Sequence, residues 1–169
     1  MAASMKYRGP DSQLKDLPLV LVVAGKDDST PYQSRIRELG LEGKVKFCPS
    51  RADVQWYYAA ADVYVGPSLE ETFAQPPAEA MACGLPVITT ASNGTAEIMT
   101  DGVDGLILQG PNDIAGLAGR IRWFYEHPEQ RESIAAHAAV IASQYKWDRN
   151  GVEMRAIFAE RLRRKCPSA

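Results

Sequence analysis

The sequence has little of what would mark a secreted, metal-bound or nucleic-acid-binding protein. Its three cysteines, Cys48, Cys83 and Cys166, stand far apart with no Cys-x-x-Cys pair among 169 residues, which excludes a disulfide framework and a cysteine-based zinc site. Two histidines, His127 and His137, lack the one-turn spacing and carboxylate neighbours of a metal pair and read as helix-surface residues. Lys and Arg number 19 against 21 for Asp and Glu, a net charge of −2, so no global positive field would draw in DNA or RNA. Neither a nucleic-acid partner nor a metal is expected. The longest apolar run, residues 17–25 (LPLVLVVAG), falls well short of the roughly 20 residues that span a bilayer, and MAASMKYRGP has no signal-peptide core. With unpaired thiols, the expected compartment is the reducing cytoplasm.

What the sequence does contain is enough apolar material for a single core: 46% of residues are hydrophobic, and a chain of this length is the size of one domain. Run 17–25 ends in Gly and has the continuous apolar character of a strand buried on both faces of a parallel sheet. Further strands are expected at 44–48 (KVKFC), 61–66 (ADVYVG), 86–90 (PVITT) and 105–108 (GLIL). Helical spacings fall between them at 32–39, 53–60, 77–83 and 95–100, and three more helices follow at 113–126, 128–145 and 147–165. Alternating strands and helices predict an α/β fold, a Rossmann-like doubly wound parallel sheet of about five strands with a helical C-terminal tail. Residues 1–16 read as a flexible or tag-bearing N-terminus and 17–169 as the domain. No Gly-x-x-Gly follows Gly25, so NAD binding is not indicated. Asp27 and Asp28 follow the first strand as in a phosphorylated receiver, but the run that should end in a phosphoacceptor Asp ends in Gly66-Pro67.

Ligands of open parallel sheets sit beyond the carboxyl ends of the strands, which directs attention to PSLEETFAQPPAEAMACG, residues 67–84. Pro76 and Pro77 suit a first helical turn, placing the helix start near Gln75. Glu79 then lies about one turn in, with its side chain leaning back toward the loop that carries Glu71. Two carboxylates would converge at the positive end of a helix, beside free amides of Phe73, Ala74, Gln75 and Ala78 that could donate to phosphate oxygens. An acid accepting two hydroxyl hydrogens reads a ribose or a sugar. A lone acid at this place is better explained by the helix dipole, with Glu70 and Glu71 merely solvated.

The surrounding string decides between these. PSLEETFAQPPAEAMACGLPVI resembles the donor-binding signature of retaining glycosyltransferase family 4, with Glu71 and Glu79 matching its paired glutamates. LVVAGKDDSTPYQSRIRELGLEGKVKF, YYAAADVYVGPS, ASNGTAEIM, DGVDGLIL and YKWD extend the resemblance over nearly the whole chain. Asn93-Gly94 and the stretch from Lys26 to Tyr32 are most similar to the branch that includes lipopolysaccharide core glucosyltransferases.

The resemblance implies the C-terminal, nucleotide-sugar half of a GT-B enzyme. Glu79 would bind the ribose hydroxyls, and Glu71 would be the catalytic residue, contacting the donor-sugar hydroxyls and orienting the sugar. Amides of Phe73, Ala74 and Gln75 would hold sugar and diphosphate, Lys46, Phe47 and Cys48 the base, and Ser68 and Leu69 would line the pocket. The donor would be a nucleoside diphosphate hexose, UDP-linked by preference, with no cofactor or metal, because the helix dipole and basic side chains offset the pyrophosphate charge. Its partner would be an N-terminal acceptor-binding domain, and the parent enzyme would have a peripheral membrane contact. The four cations in the last turn, Arg161, Arg163, Arg164 and Lys165, suit either such a contact or the helix dipole. Trp147 is expected to pack the closing helix.

Two features depart from the family pattern. Ala74 stands where Gly is usual, and the first strand with its basic diphosphate clamp has no match before residue 17, since Lys6, Arg8 and Lys15 lack the required setting. The fragment alone is therefore expected to transfer no sugar. A GT-B nucleotide-sugar epimerase half and a non-catalytic nucleotide-sugar binding module remain the alternatives.

Overall fold

The computed structural model describes residues 14, 16–26 and 28–165. In chain order the elements are β1 (Leu21–Gly25), α1 (Thr30–Glu38), β2 (Val45–Pro49), α2 (Gln55–Ala60), β3 (Tyr64–Gly66), α3 (Gln75–Ala82), β4 (Val87–Thr90), a 3-10 turn (Gly94–Ile98), β5 (Leu106–Leu108), α4 (Ile114–Glu126), α5 (Pro128–Ala142) and α6 (Trp147–Lys165). Every strand pairing among them is parallel, as strand–helix alternation requires. The N-terminal segment 1–13, Lys15, Asp27 and Cys166 lie outside the described residues.

The strands are divided between two sheets. β1 pairs with β2, and β3, β4 and β5 pair in that order. A doubly wound sheet runs its two wings outward from a switch point. Here, among the described residues, no strand joins β1 to β3, and each keeps an unpaired edge.

That gap overturns the expected burial of the first strand. All five residues of β1 are exposed, with Leu21 at 52%, because a strand is enclosed only when neighbours lie along both edges and helices cover both faces. Leu17 is the buried residue of this run, and its carbonyl accepts a hydrogen bond from Lys44 Nζ at 3.3 Å.

The core belongs to the second sheet. β4 is buried along its whole length. On one side Val87 joins Tyr58, Ala80, Met81, Leu85, Met99 and Ala138, so α3 is held between the sheet and α5. On the other side Ile88 joins Leu106, Leu108, Phe124 and Ile134. The ends of α3 follow the sequence: Pro stands in its first turn, and Gly84 at φ 73° closes it, a left-handed conformation that glycine adopts without steric cost. Asp113 caps α4 by accepting from the Gly116 amide at 2.8 Å. No residue of α6 is buried, and Trp147 is 80% exposed. The expected packing of Trp147 is therefore not made, since no described element covers the helix. Among the described residues no helix is long and apolar enough to cross a membrane.

Candidate functional site

The parallel register of β3 and β4 brings two loops side by side at their carboxyl ends. One runs from residue 67 to 74 and the other from 91 to 93. Their backbones join at Glu71 and Asn93: the Glu71 amide donates to Ser92 O at 3.1 Å, and the Gly94 amide to Glu71 O at 3.0 Å. Buried hydroxyls of β4 reinforce this, Thr89 donating to Gly66 O at 3.2 Å and Thr90 to Ser68 O at 2.7 Å. Thr95, in the 3-10 turn, donates to Ala74 O at 2.7 Å.

Asn93 binds the pieces together. It is 1% exposed, and its Oδ1 accepts from the Thr95 amide at 3.0 Å and the Ala74 amide at 3.4 Å, while Nδ2 donates to Ser68 Oγ at 3.3 Å. A buried polar side chain with its bonds satisfied fixes loop geometry, because any other arrangement strands a donor or acceptor. Gly94 follows for a steric reason: a Cβ at this position would lie 1.8 Å from Thr72 O.

Between the loops lies a crevice of about 260 Å³, lined by Glu70, Glu71, Thr72, Ala91, Ser92, Asn93, Gly94 and Glu97. Three carboxylates and no cation make it an acceptor of hydroxyl hydrogens rather than of phosphate. Among the residues expected to form one pocket, Glu71 alone lines this crevice.

Glu79 is directed elsewhere. Its Oε2 accepts the Tyr58 hydroxyl at 3.0 Å, which draws the carboxylate toward α2, so the expected meeting of Glu71 and Glu79 in one crevice is not made. Ser68 is committed to Asn93, and Leu69 and Phe73 are exposed. The Ala74 amide is also taken by Asn93, which removes it from the expected set of free donors. Among the described residues the Phe73 and Gln75 amides have no such partner, so the start of α3 keeps donors for an anion. Ala74 itself lies at φ −70° and ψ 124°, an extended conformation open to any residue, so its backbone has no need of glycine. Lys46, Phe47 and Cys48 belong to β2. Phe47 stacks on Tyr32 of α1 with ring centroids 6.1 Å apart, Lys46 is exposed and Cys48 half-buried.

The charge of Glu79 acts on two neighbouring phenols. Burial raises the Tyr64 hydroxyl to about 12, and the charge of Glu79 adds to the shift. Burial likewise raises Tyr58, assisted by its bond to Glu79. The unfolded chain ionises its tyrosines near 10 and so holds fewer protons than the folded chain above that pH. Stability from these groups is complete below pH 10 and is lost as pH rises toward 12. The melting midpoint is expected to fall across this interval, and to fall less in Tyr64→Phe; an unchanged midpoint from pH 10 to 12 would contradict the assignment.

Sequence reasoning passed over Tyr58, Thr89, Thr90 and Thr95 and treated Asn93-Gly94 only as part of a resemblance. The available signal was local: an Asn three residues past the end of a buried strand and two residues before Thr is an N-cap pattern, and Asn93 does cap the 3-10 turn. Among the described residues no cluster of His, Cys, Asp and Glu could hold a metal ion. His127 instead stacks on Trp123 with centroids 4.9 Å apart.

A family model described as "Glycosyl transferases group 1" matches residues 10–140. The D-inositol 3-phosphate glycosyltransferase of Thermomonospora curvata is 36% identical over 148 residues, covering 82% of this chain and 33% of that protein. Among solved structures, Anabaena HepE in complex with UDP-glucose is similar with a TM-score of 0.69 and 32% identity, over 74% of this chain and 36% of that one. WaaG, a glycosyltransferase involved in lipopolysaccharide biosynthesis, is similar with a TM-score of 0.70 and 29% identity, over 75% of this chain and 34% of that one. The chain thus spans about a third of the length of these relatives.

Proposed function

Because this chain belongs to the group 1 glycosyl transferases, we propose that it is the donor-binding domain of a retaining hexosyltransferase, which holds a nucleoside diphosphate hexose while the remainder of the enzyme presents a glycan or lipid-linked acceptor. The observation that carries this reading is the crevice at the carboxyl ends of β3 and β4, with Glu71 on its wall and the open amides of Phe73 and Gln75 next along the chain. HepE, similar over three quarters of this chain, holds UDP-glucose, and a uridine diphosphate donor is the preferred choice on that likeness.

In this reading the hexose hydroxyls donate to Glu71, the diphosphate approaches the amides of Phe73 and Gln75 at the positive end of α3, and the ribose hydroxyls donate to Glu79. Placing those amides where charge builds on the leaving diphosphate supplies part of the stabilisation that a metal provides elsewhere. This chain alone holds donor and leaves transfer to the whole enzyme.

Titration with UDP by calorimetry tests the assignment. Charge-assisted hydrogen bonds contribute about 1.5–3 kcal/mol each, so Glu79→Ala is expected to weaken UDP binding at least tenfold, and equal affinity in the variant would remove Glu79 from the ribose site.

A further inference from the structure

Glu79 stands on the solvent side of α3, yet one of its oxygens reaches a phenol rooted in the core. Tyr58 is 8% exposed, enclosed with Ala80, Met81, Leu85 and Val87 and set edge-on to Tyr64 at 6.2 Å. Its hydroxyl donates to Oε2 of Glu79 at 3.0 Å. Among the described residues Oε1 of Glu79 has no hydrogen-bond partner. The helix that carries Tyr58 is itself tied to the end of β2, because the neighbouring Tyr57 hydroxyl donates to Pro49 O at 3.0 Å.

We infer that Tyr58 is a positioning residue for nucleotide recognition: it pins one oxygen of Glu79 so that the remaining acceptor sites of the carboxylate are oriented toward a vicinal diol before the ligand arrives. The inference rests on the reading of Glu79 as the ribose carboxylate. A glutamate free in solvent spreads over several rotamers, and ordering it on binding costs affinity. A ring locked among core side chains brings little freedom of its own, so its hydroxyl is a fixed point against which the carboxylate is held. Phenylalanine would fill the same space without the donor, which makes the hydroxyl separable from the packing. Ionised glutamate accepts through two oxygens with about four lone-pair directions, so one bond to Tyr58 leaves enough for both hydroxyls of a ribose.

The test is a binding cycle on the 169-residue chain with UDP as probe, using Tyr58→Phe, Glu79→Ala and the double variant. Tyr58→Phe is expected to weaken UDP about three- to tenfold, the range that one ordered side chain accounts for, and to change affinity less than about twofold when Glu79 is already alanine. With 2′,3′-dideoxy-UDP, which offers no diol, Tyr58→Phe and the parent are expected to bind alike. A packing role alone would weaken both ligands equally and persist in the Glu79→Ala background, and either result overturns the inference. So does full UDP affinity in Tyr58→Phe where Glu79→Ala is weakened. If Glu79→Ala binds as the parent does, or the chain binds no UDP, the ribose reading fails first and the role of Tyr58 falls with it.

Discussion

Gly94→Ala is expected to destabilise the chain by about 3 kcal/mol, lowering the melting midpoint by roughly 6–12 °C for a domain of this size. The added methyl would stand 1.8 Å from the Thr72 carbonyl oxygen and 2.8 Å from its carbon. Neither is the end of a flexible side chain, so the backbone of one loop must move. Moving it breaks the bond from the Gly94 amide to Glu71 O, and with it the contact that sets one wall of the crevice. Stability and UDP affinity should therefore fall together. Gly102→Ala is the useful contrast: Gly102 has a left-handed backbone, at φ 78°, but a Cβ there meets nothing within 4 Å. It should lower stability without disturbing the crevice. A Gly94→Ala variant that melts with the parent would show that the two loops are not held at the distances described.

Asn93→Ala carries the second large effect, for a chemical rather than a steric reason. The substitution removes the acceptor shared by the Thr95 and Ala74 amides and the donor to Ser68 Oγ. The Thr95 amide is fully enclosed, and a buried group left without a partner costs about 1–3 kcal/mol. Loss of the cap on the 3-10 turn adds about 1 kcal/mol. A total near 3 kcal/mol is expected in thermal or denaturant unfolding. Hydrogen exchange should quicken at Ala74 and Thr95 while the amides of β4 stay protected. Were Asn93→Ala to unfold with the parent's midpoint and protection, the network would not be what holds the loop. Asn93→Asp keeps an acceptor for both amides but loses the donor to Ser68 Oγ and puts a carboxylate into a site that is 1% exposed, where desolvation opposes the charged form, so destabilisation is expected there too, smaller at acid pH than at neutral pH.

These two variants also mark the limit of sequence reading at the candidate site. The segment 67–84 points to a loop feeding a helix with Pro in its first turn, and α3 starts at Gln75 as that pattern requires. Glu71 reaches a crevice beyond the strand ends, as expected of an open parallel sheet. The direction of Glu79 was not legible, because it depends on Tyr58, 21 residues away and on a different helix. Helical geometry specifies where a Cβ points but not which distant donor captures the far end of a flexible side chain. The engagement of the Ala74 amide has the same cause: Asn93 lies 19 residues further along the chain, and only the pairing of β3 with β4 brings the two together.

Strand and helix positions were within reach of the sequence because they follow from local chemistry: unbroken aliphatic runs, prolines that start helices and glycines that end them. Residues 147–165 read as a helix and are one. Which of those elements would be enclosed was another matter. Run 17–25 has the composition of a strand covered on both faces, yet β1 is exposed along its length while β4 is buried at every residue. Composition expresses how strongly a segment gains from burial, whereas burial itself depends on neighbours supplied by other parts of the chain. β4 has β3 and β5 on its two edges, and β1 has β2 alone. Local order is thus written in the residues of each segment, and the grouping of those segments into sheets, loops and a crevice is settled only when the chain closes on itself.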